Sequence, residues 1–170
     1  MYLFIPKNIK EVYELQEYYD GLILSLENLS INYPEFTLEE IKQIIKEIKN
    51  KKIFINLNKN MHNKDIPYLK EIMKELDNLE IEGILYYDLS VPNIGSKHNL
   101  VWSVCHMTTN YKTCEFWHKR GIKYTFLSNE ITLEEIKEIT LSEERNRVTI
   151  TDLKTKFRNT VKIFEDTKID

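Results

Sequence analysis

The chain of 170 residues is long enough for one domain with a sizeable core, and it is 42% hydrophobic and 30% charged, as globular proteins are. Its 24 basic and 27 acidic residues give a net charge of −3. No excess of Lys or Arg therefore marks an extended nucleic-acid surface, although a local basic pocket is compatible with this balance. The sequence contains no DNA-binding motif.

The first ten residues lack a basic stretch and carry only a short apolar run, so no signal peptide is predicted. No run approaches the roughly 18 apolar residues that are needed to span a bilayer. Two cysteines do not make a disulfide scaffold. These features predict a cytoplasmic protein without a membrane segment.

Short apolar segments alternate with helical patterns along the chain, which predicts a parallel α/β sheet. The predicted strands are 2–5, 22–26, 53–57, 83–87, 100–105, 123–127 and 147–150. The predicted helices are 9–19, 38–49, 66–79, 111–120 and 133–139, and residues 88–99 are predicted to form a loop or a very short helix. The words TLEEIK occur at 37–42 and 132–137, and each predicts a capping box at the start of a helix.

The strand ends and the number of strands predict how the sheet closes. No glycine-rich phosphate loop follows the first strand, whereas polar residues end nearly every strand, which favours a TIM-barrel-like (β/α) fold over an open sheet. Six or seven strands fall short of the eight in a full barrel, which takes about 250 residues. We therefore predict an incomplete barrel in residues 1–140 and a divergent charged segment, 141–170, that packs on it or closes it. Residues 147–164 are expected to supply a strand and a short helix for this purpose.

An incomplete barrel has open strand edges, and such edges are normally covered. A second copy of the chain or another protein is the alternative to residues 141–170 as the cover. A small open-sheet binding module is a third possibility, in which the polar strand ends would diverge.

Polar residues cluster after four predicted strands, whose ends lie on one face if the strands are parallel. Asp88, His106 and Glu130 follow three of the strands and are the predicted catalytic acid–base groups. The predicted substrate-binding residues are Asn58, Asn60, His62 and Asn110. Convergence of these residues in one pocket would indicate an enzyme.

Several of these residues also have structural interpretations. Asn58 and Asn60 could instead satisfy backbone groups of a loop, and a lone loop histidine such as His62 is often structural. Asp65 is predicted to cap the helix at 66–79, with Pro67 in its first turn.

The remaining reactive residues are weaker candidates. Cys105 and His106 are adjacent in a predicted strand and would point to opposite faces, which disfavours a nucleophile–base pair. Tyr111, Phe116 and Trp117 are expected to pack their helix against the sheet. No spacing of residues defines a metal site.

Four segments, in the same order as in the family, resemble the U32 peptidases, also called collagenase-like proteases. NLNKNMHNKDI at 56–66 is similar to an Asn-x-x-x-His-Asn segment of the family, and YYDLSV at 86–91 to its Asp-x-Gly-Val turn, with Ser90 in place of Gly. SVCHMTTN at 103–110 resembles a family stretch that begins with Ser-Thr-Gln and ends with Thr-Asn. FWHKRGIKYTFLSNEITLEEIKEI at 116–139 resembles a family segment that begins with Phe-Trp and ends with Arg-Glu-Leu-Ser-Leu-Glu-Glu-Ile.

The resemblance implies a TIM-barrel-like fold and either peptide hydrolysis or RNA-base modification at the strand ends. Members of the family include proteases and proteins linked to hydroxylation of RNA bases or of ubiquinone precursors, and several hydroxylating members carry an iron–sulfur cluster on four cysteines. Cys105 stands where the family usually has Gln, and Asn129 where it usually has Arg; no cysteine-rich segment occurs here. A non-catalytic or partner-dependent binding module is the alternative function, and no cofactor is assigned.

Overall fold

The computed structural model describes residues 1–141, 148–151 and 160–164, with nine strands in one sheet. The strands are Tyr2–Phe4 (β1), Gly21–Leu26 (β2), Glu35–Phe36 (β3), Lys52–Leu57 (β4), Gly83–Tyr86 (β5), Asn99–Trp102 (β6), Tyr124–Phe126 (β7), Val148–Thr151 (β8) and Thr160–Phe164 (β9). The α-helices are Ile9–Glu14 (α1), Leu38–Glu47 (α2), Ile66–Asp77 (α3), Ser90–Ile94 (α4), Tyr111–His118 (α5) and Leu133–Leu141 (α6). Gln16–Tyr18 and Cys105–Met107 form short 3₁₀ helices.

The strand pairings of the described residues run around a ring. Neighbours are parallel in the order β1–β2–β4–β5–β6–β7–β8, and β9 pairs antiparallel with both β8 and β1. The short strand β3 pairs with the carboxyl end of β2. The predicted parallel, barrel-like sheet is therefore confirmed, and an antiparallel strand stands where a full (β/α)₈ barrel has its eighth parallel strand.

Most elements agree with the predicted ones, but several predictions need correction or extension. The helix predicted at 9–19 ends at Glu14 and is followed by the 3₁₀ helix Gln16–Tyr18, and the short strand β3 was not predicted. The fifth predicted strand ends at Trp102 rather than Cys105, because the chain turns into the 3₁₀ helix. The segment 147–164 was predicted to supply a strand and a short helix; its described residues form two strands, β8 and β9, and residues 152–159 lie outside the described part. The division into domains at residue 140 stays a prediction.

Helices α2 and α6 begin where local side chains satisfy their first N–H groups. Thr37 and Glu40 form the predicted capping box of α2, with the Glu40 N–H donating to Thr37 Oγ1 and the Thr37 N–H donating to Glu40 Oε2 at 2.8 Å. Thr132 and Glu135 make the same reciprocal pair before α6. None of the described helices has the length and apolar character needed to cross a membrane.

Two apolar layers cover the two faces of the sheet. Outward-facing strand residues such as Leu22, Leu24 and Leu26 pack against helix residues in one large core. The inner layer consists of strand residues alone: Leu3, Ile23, Phe54, Leu85, Val101 and Tyr124. The rings of Phe54 on β4 and Tyr124 on β7 meet edge to face at 5.8 Å although these strands are not neighbours, so the sheet curves around a filled interior.

The amino-terminal face of the ring is held by polar contacts to Glu82. Its carboxylate accepts a hydrogen bond from the Tyr124 hydroxyl at 2.7 Å and lies 3.7 Å from Lys52 and 3.6 Å from Lys123. The Asn99 side chain also donates to the Glu82 carbonyl. This face is thereby occupied with internal pairs, and the exposed polar side chains of the candidate site lie at the opposite face.

Candidate functional site at the carboxyl ends of the strands

A layer of buried polar side chains lies above the inner apolar layer, towards the carboxyl ends of the strands. The Asn56 amide donates to Ser25 Oγ at 2.9 Å, and the Ser30 hydroxyl donates to the Asn56 carbonyl at 2.5 Å. The Ser103 hydroxyl donates to the carbonyl of Tyr86 at 2.8 Å. All four polar side chains are buried, so this layer is a paired, preorganised floor for the site. The roles of Ser25 and Ser30 were not predicted, although a serine inside the apolar strand LILSL signals a buried partner.

Asn58 fastens the loop that follows β2. Its side-chain oxygen accepts from the Ile31 N–H at 2.8 Å, and its side-chain nitrogen donates to the Ile31 carbonyl at 3.0 Å. The side chain is buried and both of its polar atoms are used. The structure therefore gives Asn58 the backbone-satisfying role that the sequence left open beside a ligand role.

Asp88 joins two loops at the same edge of the sheet. One carboxylate oxygen accepts from the Met61 N–H at 2.9 Å and the other from the Ser90 N–H at 2.8 Å. Partial burial opposes the charged form, but the hydrogen bonds from Ser90 and Met61 and the nearby His62 hold the pKa of Asp88 below its ordinary value. Asp88 is thus an ionised brace between the β4–α3 loop and α4.

Asp65 occupies the predicted position before α3, and Pro67 lies in the first turn, but the side chain does not cap the helix. Its carboxylate instead accepts from the His62 N–H at 2.9 Å and pairs with the Lys59 ammonium at 3.3 Å. The hydrogen bond from the His62 N–H lowers the pKa of Asp65 most, and the Lys59 ammonium lowers it further. The prediction of a side-chain cap was wrong because the preceding loop folds back and offers a closer donor.

Asn110 caps a helix at the next strand end. Its side-chain oxygen accepts from the Thr113 N–H at 3.1 Å at the start of α5, and its side-chain nitrogen contacts Thr109 Oγ1 at 3.4 Å. Its predicted substrate-binding role stays a prediction.

Four other predicted site residues are exposed at the carboxyl-terminal rim. Asn60, His62, His106 and Glu130 are each exposed, and none of their side chains makes a hydrogen bond or ion pair within the described part of the chain. The braces formed by Asp65 and Asp88 hold the backbone that carries Asn60 and His62. We call these four residues the rim set.

The loops that carry His106 and Glu130 are joined to each other. The Ser128 N–H donates to the buried Thr108 carbonyl at 2.8 Å, and Ser128 Oγ accepts from the Glu130 N–H at 3.2 Å. His106 and Glu130 are thus each two positions from this link, and they follow the adjacent strands β6 and β7, which are spaced about 4.8 Å apart.

Asp88, His106 and Glu130 follow three consecutive parallel strands, β5, β6 and β7, and so share one edge of the sheet. Within residues 1–141 no hydrogen bond or ion pair joins the three side chains. At this common edge His106 and Glu130 could take part in binding and proton transfer. Both carboxylate oxygens of Asp88 already accept backbone hydrogen bonds. The opposite-face argument for Cys105 and His106 was wrong, because both lie in the 3₁₀ helix, and the Cys105 side chain is outside the described part.

A groove with a volume of about 420 Å³ lies beside the rim, between β6, the 3₁₀ helix and α5. It is lined by Trp102, Met107, Lys112, Thr113, Phe116 and Trp117, and we call it the α5 groove. Trp117 packs inward on Trp102 as expected, but Tyr111 and Phe116 are each 46% exposed. The prediction that all three aromatic residues pack against the sheet was wrong, because positions 111, 116 and 117 project in different directions from a helix with 3.6 residues per turn.

The residues of this chain do not supply a four-thiolate iron–sulfur site. The chain has two cysteines, and Cys114 is buried on α5 against Leu127, Ile136 and Ile139. Among the described residues, no cluster of three or more His, Cys, Asp or Glu could hold a metal ion. No step through such a group is assigned to these residues.

Comparisons with known proteins agree with this architecture. Three curated relatives match, each over only about a third of its own length. An uncharacterized protease of Methanocaldococcus jannaschii is 30% identical over 125 residues, which is 71% of this chain and 30% of that protein. tRNA hydroxylation protein P2 of Bacillus subtilis is 27% identical over a match that covers 62% of this chain and 36% of that protein. tRNA hydroxylation protein P1 of the same organism is 26% identical over a match that covers 65% of this chain and 28% of that protein.

The fold and the sequence place the chain in one family. The solved structure of a U32 peptidase superposes with a TM-score of 0.62 at 17% identity, covering 86% of this chain and 66% of that one, which shows the shared fold. The sequence pattern of Peptidase family U32 matches residues 11–153, most of the chain. With the parallel barrel-like sheet and the segments at its strand ends, this match shows that the chain belongs to peptidase family U32.

Proposed function

We propose that this chain forms the substrate-binding face of a U32 protein that modifies bases in RNA, with tRNA as the substrate class. The observation that carries the proposal is the rim set, which offers an amide, two imidazoles and a carboxylate that make no side-chain hydrogen bond or ion pair within the described residues. Such groups donate and accept in the pattern that recognises the edges of an unpaired base. The two Bacillus subtilis relatives named as tRNA hydroxylation proteins support RNA over other substrates.

The braced residues and the rim set have different tasks in this proposal. Asn58, Asp65 and Asp88 hold the loops, so the rim is formed before the substrate arrives and loses little conformational freedom on binding. His106 and Glu130, on linked loops, are placed to hold or move a proton on the bound base. The chain covers about a third of its relatives' length, and the oxidation step of a hydroxylation lies beyond these residues.

Peptide hydrolysis is the second candidate, favoured by the relative named as a protease. An acid–base pair of His106 and Glu130 would also serve to activate water and protonate a leaving amine. The two candidates differ in what the rim binds and in what is released.

The experiment compares unmodified tRNA transcripts with a mixed peptide pool on the same protein. Filter binding measures the tRNA dissociation constant, and mass spectrometry measures peptide cleavage. We expect saturable tRNA binding that His106→Ala and Glu130→Gln each weaken, and nucleoside analysis of cellular tRNA should show a hydroxylated base that is lost with the gene. Glu80→Gln, an exposed carboxylate at the opposite face, is the matched control and should bind like the wild type. Peptide cleavage that is lost in Glu130→Gln, with no tRNA binding, would overturn the proposal.

A further inference from the structure

The α5 groove is an open aromatic surface outside the rim. Trp102 and Trp117 stack with their ring centroids 4.0 Å apart, and Phe116 meets Trp117 edge to face at 5.2 Å. Phe116 is 46% exposed and Met107 58% exposed, so the groove presents large apolar side chains to solvent. An aromatic wall of this kind suits a planar ring system, which would stack on it.

Two buried donors beside the groove have no acceptor among the described residues. Trp102 lines the groove and is 5% exposed, yet its indole N–H finds no hydrogen-bond partner among the described residues. The hydroxyl of Tyr86, fully buried and in edge contact with Trp102 at 5.5 Å, is also unpartnered there. A buried donor without an acceptor costs free energy, and the indole N–H can only donate. An acceptor from outside the described residues, such as an atom of a ligand in the groove, would satisfy the Trp102 donor.

The surface beside the groove is cationic, although the whole chain has a net charge of −3. Residues 111–121 carry three Lys or Arg side chains and one carboxylate, Glu115. The Glu115 carboxylate pairs with two ammonium groups, and the hydrogen bonds from Lys119 and Lys112 lower the pKa of Glu115 to about 2. The Arg120 guanidinium lies 3.5 Å from the centre of the Phe116 ring and donates to the Phe116 carbonyl. A positive excess thus borders the aromatic wall.

We propose that the α5 groove binds one nucleotide of a single-stranded RNA segment, outside the rim where the target base is held. The base lies against the aromatic wall and accepts from the Trp102 indole N–H, while Lys112 and Arg120 receive the phosphate. A nucleotide combines a planar ring, ring acceptors and an anion, and a groove of about 420 Å³ takes one such unit. The inference rests on the proposed function, because it places a flanking nucleotide of the same RNA on this groove.

Both tryptophans of the chain line the groove, so intrinsic tryptophan fluorescence reports on this site alone. Uridine monophosphate, adenosine monophosphate and an unstructured RNA hexamer are titrated into the full chain. We expect saturable quenching by all three, with tightest binding for the hexamer and weaker binding as salt rises.

Two variants and two matched controls locate the binding. Phe116→Ala should weaken the hexamer by roughly fivefold or more, the range of one base–aromatic stack, and Lys112→Ala should reduce the salt dependence by about one phosphate contact. The controls are Tyr18→Ala and Lys49→Ala; Tyr18 is 67% exposed and precedes β2, and Lys49 precedes β4, both at the opposite face. Trp102→Phe, which removes the N–H and keeps a ring, should weaken the mononucleotides, and thermal melting of each variant confirms that it is folded.

The outcomes separate this inference from the proposed function. Quenching that Phe116→Ala and Lys112→Ala weaken and the controls leave unchanged supports the groove as a nucleotide site. Retained tRNA binding with no quenching by any nucleotide overturns the inference and leaves the rim as the RNA site. Quenching by peptides but not by nucleotides also overturns it, because the groove would then be a protein-docking surface.

Discussion

Replacing Asp88 with Asn tests whether this residue is a brace. In the wild type each carboxylate oxygen accepts one backbone N–H, from Met61 at 2.9 Å and from Ser90 at 2.8 Å. Asparagine keeps one acceptor oxygen and turns its NH₂ group towards the other N–H. The variant therefore loses one charge-assisted hydrogen bond and weakens the second.

The size of the effect follows from these two bonds. A hydrogen bond to a charged group contributes about 1.5–3 kcal/mol, and a neutral one about 1 kcal/mol. Asp88 is only partly buried, so water compensates part of the loss, and we expect a decrease of about 2 kcal/mol in the free energy of unfolding. For a chain of this length that corresponds to a decrease of about 4–8 °C in Tm.

The pH dependence gives an independent check. The native pKa of Asp88 lies below the ordinary value of 3.8, so the carboxylate stabilises the fold fully above pH 3.8 and loses this effect as the pH falls through the native pKa. The difference between wild type and Asp88→Asn should be constant at neutral pH and shrink below about pH 4.

Urea unfolding followed by circular dichroism measures the free energy, and amide hydrogen exchange measures the protection of Met61 and Ser90. Glu80→Gln, which removes the same charge from an exposed carboxylate, should unfold like the wild type. If Asp88→Asn matches Glu80→Gln and both amides stay protected, Asp88 is not a brace. A stability difference that persists unchanged at pH 3 would show that the carboxylate charge is not its source.

Three further substitutions test single contacts that hold the fold. Asn58→Ala removes both bonds to Ile31 and should cost about 2–3 kcal/mol in urea unfolding, whereas a change under 0.5 kcal/mol would mean that water replaces the amide. Gly21→Ala places a Cβ against the Lys52 carbonyl oxygen, closer than van der Waals contact, and should cost about 3 kcal/mol through displacement of β4. A wild-type Tm would show that the strands separate without strain. Thr37→Ala removes the α2 cap and should lower Tm by about 2–4 °C, and Thr37→Ser should restore the wild-type Tm. Equal Tm values for the two variants would show that the cap does not stabilise the fold.

The strands and helices were predictable because their burial leaves a pattern in the chain. Strands covered on both faces read as short apolar runs, and β2 and β4 lie within a residue of their predicted bounds. The capping box at Thr37 was equally visible, because all of its partners lie within four residues. Parallel pairing then placed Asp88, His106 and Glu130 at one edge without further information.

The roles of the site residues were less predictable, because their partners lie far along the chain. Asp88 and Met61 are 27 residues apart, as are Asn58 and Ile31, and no local pattern indicates which loop folds over which side chain. The capping role of Asp65 was mispredicted for a different reason: its donor, the His62 N–H, is only three residues away, but the loop turns back on Asp65 instead of leaving the side chain to the helix.

The sequence by itself determined the alternation of the main β and α elements up to α6, the face on which the polar strand ends gather and the likeness to the U32 family, since each depends on local periodicity or on short segments. Only the tertiary structure decided how the ring is completed, because the antiparallel β9 pairs with β1 across about 160 residues of chain. It also decided which polar residues are used as braces and which stay exposed on the rim. The α5 groove is a tertiary feature for the same reason: it forms where Trp102 of β6 meets Trp117 of α5, two residues whose contact no sequence period specifies.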